Sequence, residues 1–188
     1  MKFKKSHISN LLFVIVIILM IIPQTRKPIQ VGFHTIVALF SPLVIDKEDQ
    51  LLLSNYDWQL IDSNNTIFNI EQAKGKVIFV NLWATWCPPC IAEMPSMQKI
   101  YDAYGDRVVF LFISNENQEK VTAFLKRKNL SIPSYYPLSS SPKEITSNSI
   151  PATYIIDKKG FIVVEKIGAA IWNSISVRKL LVNLLLEE

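Results

Sequence analysis

Residues 83–95 read WATWCPPCIAEMP and hold Cys87 and Cys90, the only cysteines in a chain of 188 residues. Two thiols separated by two prolines admit three readings: a structural disulfide, part of a metal site, or a redox pair. A bridge between them closes a very small loop, which restrains the unfolded chain little and makes a poor staple. A closed zinc site normally takes four ligands, and the only histidines, His7 and His34, stand far away near the N-terminus. A chain of this length also buries an ordinary core without cross-links. Redox chemistry is therefore the favoured reading, with no metal and no cofactor expected.

Outward from this stretch, strand and helix signals alternate. Residues 77–84 and 108–113 are near-continuous apolar runs, as expected of strands buried on both faces. Between them Ile91, Met94, Met97, Tyr101 and Tyr104 recur at three to four residues, and Gly105 ends that helix. A second helix is expected over 116–128, with Val121, Phe124 and Leu125 inward. A last one is expected from residue 174, buried through Val177, Leu180, Leu181, Leu184 and Leu185. Asp62-Ser63-Asn64-Asn65 and Asp157-Lys158-Lys159-Gly160 each separate two strand-like runs, which predicts two hairpins. The order predicts an α/β fold: a mixed central sheet with helices on both faces. Asp46-Lys47-Glu48-Asp49 breaks the hydrophobicity and marks a linker, so the domain is expected over 52–188.

This order sets the cysteines at the junction of a buried strand and the following helix. Cys87 then precedes the first helical turn, where unpaired N–H groups and the helix dipole favour a thiolate. Pro88 and Pro89 suit a helix start, where no N–H partner is needed. Cys90 falls one turn on, within reach and more buried. Cys87 is thus expected to be the nucleophile and Cys90 the resolving thiol.

VNLWATWCPPCIAEMP, at 80–95, resembles the active-site segment of the thioredoxin-like superfamily, and the likeness extends through most of 56–188. It implies a thioredoxin-like fold whose active-site helix is kinked at Pro95. SIPATYIIDKKG, at 149–160, resembles the segment holding that fold's cis-proline. Pro151 would be that proline, in a loop lying against the disulfide and binding substrate backbone with Ile150; Trp86, Pro88 and Pro89 would complete the substrate-binding rim, with Trp83 in the core. The chain is most similar to the membrane-anchored, extracytoplasmic TlpA/ResA-like branch, on its N-terminal apolar run, an extra N-terminal β-hairpin over 56–70, and Glu93 three residues after Cys90. Where thioredoxin carries a buried acidic residue this chain has Asn81, which cannot take a proton. The resemblance implies that Glu93 replaces it; an ordinary helix-surface carboxylate is the alternative. The segment 129–149 lengthens the interval between Cys90 and Pro151 and is a candidate for partner specificity.

The N-terminus bears Lys2, Lys4 and Lys5 ahead of an apolar run over 11–22. That run is short of the roughly 20 apolar residues of a bilayer span, and it is followed by Pro23-Gln24-Thr25-Arg26-Lys27-Pro28 with no small-residue cleavage pattern. An uncleaved signal-anchor over 1–27 is favoured over a removed signal peptide. The three lysines place the N-terminus in the cytoplasm and the domain outside. Over 28–51 an interfacial helix and linker are expected, Ile29, Phe33, Val37 and Phe40 recurring at helical spacing; a second span, returning the domain to the cytoplasm, is the alternative. Residues 1–50 carry a net charge of +3 and 51–188 only +1. The basicity thus belongs to the lipid-facing region, and no nucleic-acid partner is expected.

The resulting expectation is a single-pass thiol–disulfide oxidoreductase of the cytoplasmic membrane, with Cys87, Cys90 and Glu93 catalytic. It would reduce protein disulfides on the extracytoplasmic (periplasmic) side. The resemblance implies substrates such as apocytochrome c or other envelope proteins, and a membrane thiol-reductant donor. A disulfide-forming oxidase or isomerase of the same fold, and a non-catalytic peptide-binding module, are the alternatives.

Overall fold

The computed structural model describes Phe13, Pro42 and residues 44–187. Apart from Phe13, the expected anchor lies outside the described residues, as does most of the expected interfacial helix. Among the described residues no helix is long and apolar enough to cross a membrane.

Seven strands form one mixed sheet in the order β2-β1-β5-β4-β3-β6-β7. They are β1 (Gln59–Asp62), β2 (Ile67–Asn69), β3 (Ile78–Leu82), β4 (Val109–Ile113), β5 (Ser134–Pro137), β6 (Ala152–Ile156) and β7 (Ile162–Ile167). Helix α1 (Pro88–Tyr104) links β3 to β4, α2 (Gln118–Arg127) follows β4, and α3 (Ile175–Leu186) ends the chain. β3 and β5 run parallel to β4; β6 pairs antiparallel with β3 and with β7. Local chemistry sets the boundaries. Asp62 Oδ1 accepts from Asn64 N and Thr66 N in the β1–β2 turn, the Asx geometry that closes a short connection. Asn117 caps α2 through Glu119 N and Lys120 N, and Ser174 caps α3 through Val177 N.

Alternation along the strands sorts their side chains into two cores. Phe79, Phe110, Phe112 and Ile155 pack with Met94, Met97 and Ile100 of α1, Phe124 of α2 and Leu181 of α3. Trp172 closes this core edge-on to Phe79 at 5.1 Å. Ile78, Val80, Leu111, Ile113 and Tyr154 enter the other core with Leu53, Trp58, Ile70, Ala73 and Ile145.

Helices were expected on both faces, and here the structure differs. Helices α1, α2 and α3 all contribute to the first core, whereas the second is covered by the chain leading into β1, the 3-10 turn Ile70–Ala73 and the segment around Ile145. Large apolar groups such as Trp58, Ile70 and Ile145 supply the buried area that a helix would otherwise bring. The packed chain also begins ahead of residue 52. Ile45 N donates to Val163 O, and Ile162 N to Leu51 O, so the 45–53 segment runs along β7. A further departure is β5, a strand inside the segment read as an insertion over 129–149. It pairs with β4 and with β1, so it is the strand that joins β1 and β2 to the rest of the sheet.

Candidate active site

Residues 83–87 carry the chain from the end of β3 to the start of α1, with Pro88 and Pro89 in the first turn. Cys87 is the helix N-cap: its Sγ accepts from Cys90 N at 3.2 Å. The two cysteines are disulfide-bonded, with Cα atoms 5.3 Å apart. The N–H that caps the helix is therefore also the group that would stabilise a thiolate on Cys87 once the bond opens. Cys90 is wholly buried, and Cys87 is only 2% exposed. In the disulfide form the exposed group is thus the neighbouring Trp86, at 59%.

The Ile150–Pro151 bond is cis. Cys87 Sγ lies 3.7 Å from the Ile150 carbonyl oxygen, an acceptor for a reduced thiol. Pro151 O accepts from Gly168 N at 2.8 Å, which ties this loop to the end of β7. Ile150, distant in sequence, is thereby brought beside Trp86 and Cys87. A cavity of about 520 Å³ opens beside them, lined among others by Trp58, Trp83, Trp86, Glu116, Ser140 and Ile150. Its size is that of a site for a side chain or short peptide segment.

Glu93 is not a surface carboxylate: it is 1% exposed. Its Oε1 accepts from Asn81 Nδ2 at 3.0 Å. Its Oε2 accepts from Trp172 Nε1 at 2.8 Å and from Ala170 N at 3.2 Å. Burial pushes its pKa up to about 8, although the hydrogen bonds from Trp172, Ala170 and Asn81 pull the other way. That value lies close to the range of an ordinary thiol. Pro95 stands inside α1, where it has no N–H for the preceding turn. Next to it, Ser96 Oγ donates to Glu93 O at 2.8 Å and accepts from Trp172 N at 3.2 Å. The interrupted helix and the Trp172 segment are thus fastened together at the carboxyl group.

The residues approaching Cys87 are held from another side. Glu116, on the loop after β4, accepts from Thr85 N at 2.5 Å and from Thr85 Oγ1 at 2.9 Å, and pairs with Lys120. Burial raises its pKa, but the bonds from Lys120 and Thr85 outweigh this and hold it below the usual carboxylate range. Sequence reasoning missed Glu116, Thr85, Ser96, Ala170 and Trp172. The contacts that matter here, Thr85 with Glu116, Ser96 with Trp172, and Glu93 with Ala170 and Trp172, join residues far apart in sequence, and only the chain path brings them together. Among the described residues no three His, Cys, Asp or Glu side chains gather as a metal site.

Comparison with known proteins agrees with this geometry. Residues 47–181 match the Redoxin family. Thiol-disulfide oxidoreductase ResA of Bacillus cereus is 30% identical over 166 residues, which cover 85% of this chain and 89% of that relative. The thioredoxin-like protein YneN of Bacillus subtilis (strain 168) is 39% identical over 98 residues, covering 50% of this chain and only 58% of YneN. Among solved structures, a secreted thiol-disulfide isomerase from Corynebacterium glutamicum superposes with a TM-score of 0.60 at 20% identity, over 79% of this chain and 93% of that one, a likeness of fold. With a bonded Cys-x-x-Cys pair capping a helix of this fold, and a ResA relative aligned over most of both chains, the chain belongs to the Redoxin family, among its TlpA/ResA-like thiol–disulfide oxidoreductases.

Proposed function

We propose that the protein reduces protein disulfides on the outer side of the cytoplasmic membrane, held there by its N-terminal anchor. The reduced Cys87 thiolate attacks a substrate disulfide, and one substrate sulfur leaves as a thiolate that takes up a proton. Cys90 then gives its proton to the Glu93 carboxylate and attacks Cys87 of the mixed disulfide. The second substrate sulfur leaves, and two electrons have passed from the pair to the substrate. Trp86, Pro88, Pro89, Ile150 and Pro151 form the surface against which the substrate backbone lies. The β1–β2 hairpin is an addition to the thioredoxin-like core, and the segment around Ser140 contributes to partner choice. Apocytochrome c and other envelope proteins are the substrate class, and a membrane thiol-reductant restores the pair.

The observation carrying this reading is the bonded Cys87–Cys90 pair at the N-terminus of α1, with the buried Glu93 one turn beyond Cys90 on the same helix. Lys2, Lys4 and Lys5 before the apolar run support the outward orientation. The direction of exchange is tested by the equilibrium reduction potential of the Cys87–Cys90 pair. Dithiol pairs of this kind run from about −270 mV in reductants to about −120 mV in oxidants. A value near the first supports a reductase; one near the second makes the protein an oxidase.

A further inference from the structure

Asn81 lies fully buried on β3. Its Nδ2 donates to Glu93 Oε1 at 3.0 Å and to Thr153 Oγ1 at 2.9 Å. Its Oδ1 is buried with no hydrogen-bond partner. An orphaned amide oxygen is a cost to the fold that a leucine in the same place would avoid. The amide therefore calls for a reason beyond filling the strand position.

The reason follows from the partners of Glu93. Its Oε2 faces Trp172 Nε1–H and Ala170 N–H, and neither group can accept a hydrogen bond. A proton taken up by Glu93 must therefore sit on Oε1, which faces Asn81. On the lone pair that now accepts from Nδ2 it would meet a donor, unless the amide turns over and offers Oδ1 instead. A half-turn about the Cβ–Cγ bond exchanges the two amide ends with almost no change of shape. Thr153 can follow, because its hydroxyl accepts from Nδ2 in one arrangement and donates to Oδ1 in the other. The groups bonded to Glu93 and Asn81 carry no charge: Trp172 and Ala170 from the segment after β7, and Thr153 from β6. The charged group nearest in register is Lys166 of β7, the cross-strand neighbour of Thr153.

We propose that Asn81 and Thr153 form a reversible amide–hydroxyl pair that turns over as Glu93 gains or loses its proton, presenting Nδ2–H to the carboxylate and Oδ1 to the acid. They are positioning residues: they let one buried site hold Glu93 in either state. When Cys90 gives up its proton, an S–H bond breaks, an O–H bond forms on Oε1, and no electrons move. The place of this pair in disulfide reduction rests on the reading that Glu93 receives that proton; the turnover itself does not. Burial places the Glu93 midpoint at about 8, so both states are within reach of ordinary titration.

The test is an NMR pH titration of the oxidised, full-length protein labelled with 13C and 15N, following Glu93 Cδ and the side-chain NH₂ of Asn81. The Asn81 signals should move with the same midpoint as Glu93 Cδ, and Glu93→Gln should abolish that movement. Thr153→Val keeps the shape but leaves one Nδ2 hydrogen unpaired when Glu93 is ionised. It should raise the Glu93 midpoint by roughly half to one pH unit, about a three- to tenfold loss in acidity, while Thr153→Ser stays within about 0.2 unit of wild type. Asn81 signals that stay still while Glu93 titrates would overturn the pair, as would an unchanged midpoint in Thr153→Val. Should that variant not fold, the wild-type signals decide alone. Wild-type disulfide reduction by Glu93→Gln would instead count against Glu93 as proton acceptor, a separate result.

Discussion

The two ends of the redox pair are built in opposite ways. Cys87 is served by its own neighbourhood: the helix it caps, the two prolines after it and the N–H of Cys90 three residues on. Glu93, one turn beyond Cys90, is held by groups from distant parts, with Asn81 from β3, itself bonded to Thr153 of β6, and Ala170 and Trp172 from beyond β7. An attacking sulfur needs a positive local field, which one helix start supplies. A proton acceptor with a raised pKa needs burial and fixed donors at once, which no single segment provides.

If this division holds, damage should scale with it. Cys87→Ser should abolish disulfide reduction, a loss of roughly a thousandfold or more, since the covalent step has no substitute. Cys90→Ser should instead accumulate mixed disulfides on non-reducing gels. A Cys87→Ser protein that traps partners equally well would show that either sulfur can attack, and the asymmetry between them would be lost.

Glu93→Gln comes next, with a resolving step slower by about ten- to a hundredfold, toward the low end for general acid–base groups. Its effect on stability has a definite sign. The folded midpoint of about 8 stands above the ordinary 4.5, so between those values the folded oxidised protein holds a proton that the unfolded chain has lost. The contribution of Glu93 is full below pH 4.5 and declines as pH rises towards 8, by at most about 1.4 kcal/mol per pH unit. Urea unfolding of wild type and Glu93→Gln across pH 5–9 reads this directly. Parallel pH profiles would show that the carboxyl group does not titrate in that window. Trp172→Phe is the gentler probe, keeping a ring against Phe79 while removing the Nε1–H donor. The Glu93 midpoint should climb by about one further unit; an unmoved midpoint makes Trp172 a packing residue alone.

The same division explains what the sequence disclosed. The apolar runs at β3 and β4, the helix between them and the placement of Cys87, Pro88 and Pro89 are local patterns, and they were legible. β5 was hidden because Pro133 and Pro137 bracket a half-exposed segment, SYYP, whose strand character comes from its neighbours β4 and β1. Glu93 could be singled out by its spacing from Cys90, but its burial could not, because Trp172 and Ala170 approach it from more than seventy residues away. Asn81 read as a lost acid in a strand; its bond to Thr153 exists only once β6 lies alongside in register, and its bond to Glu93 only once α1 packs on the sheet.

The smallest expected effect falls at Glu116, where the local and the assembled ends of the site overlap. Its carboxylate crosses from the β4–α2 loop to hold Thr85 N and Oγ1, two residues ahead of Cys87. It adds nothing to the sulfur chemistry itself but limits how far residues 85 and 86 can swing. Glu116→Gln keeps one acceptor oxygen and loses the charge, so stability should fall by about 0.5–1.5 kcal/mol. Lys120→Ala removes only the exposed side of the arrangement and should cost about 0.3–0.5 kcal/mol, as such helix pairs do. With a peptide disulfide as substrate, Glu116→Gln should raise KM two- to fivefold, an order-of-magnitude figure for a loosened rather than missing rim, and leave kcat near wild type. A fall in kcat with KM unchanged would mean that the loop acts on Cys87 directly. The nucleophile would then depend on the assembled part of the molecule as well, and the contrast between the two ends would fail.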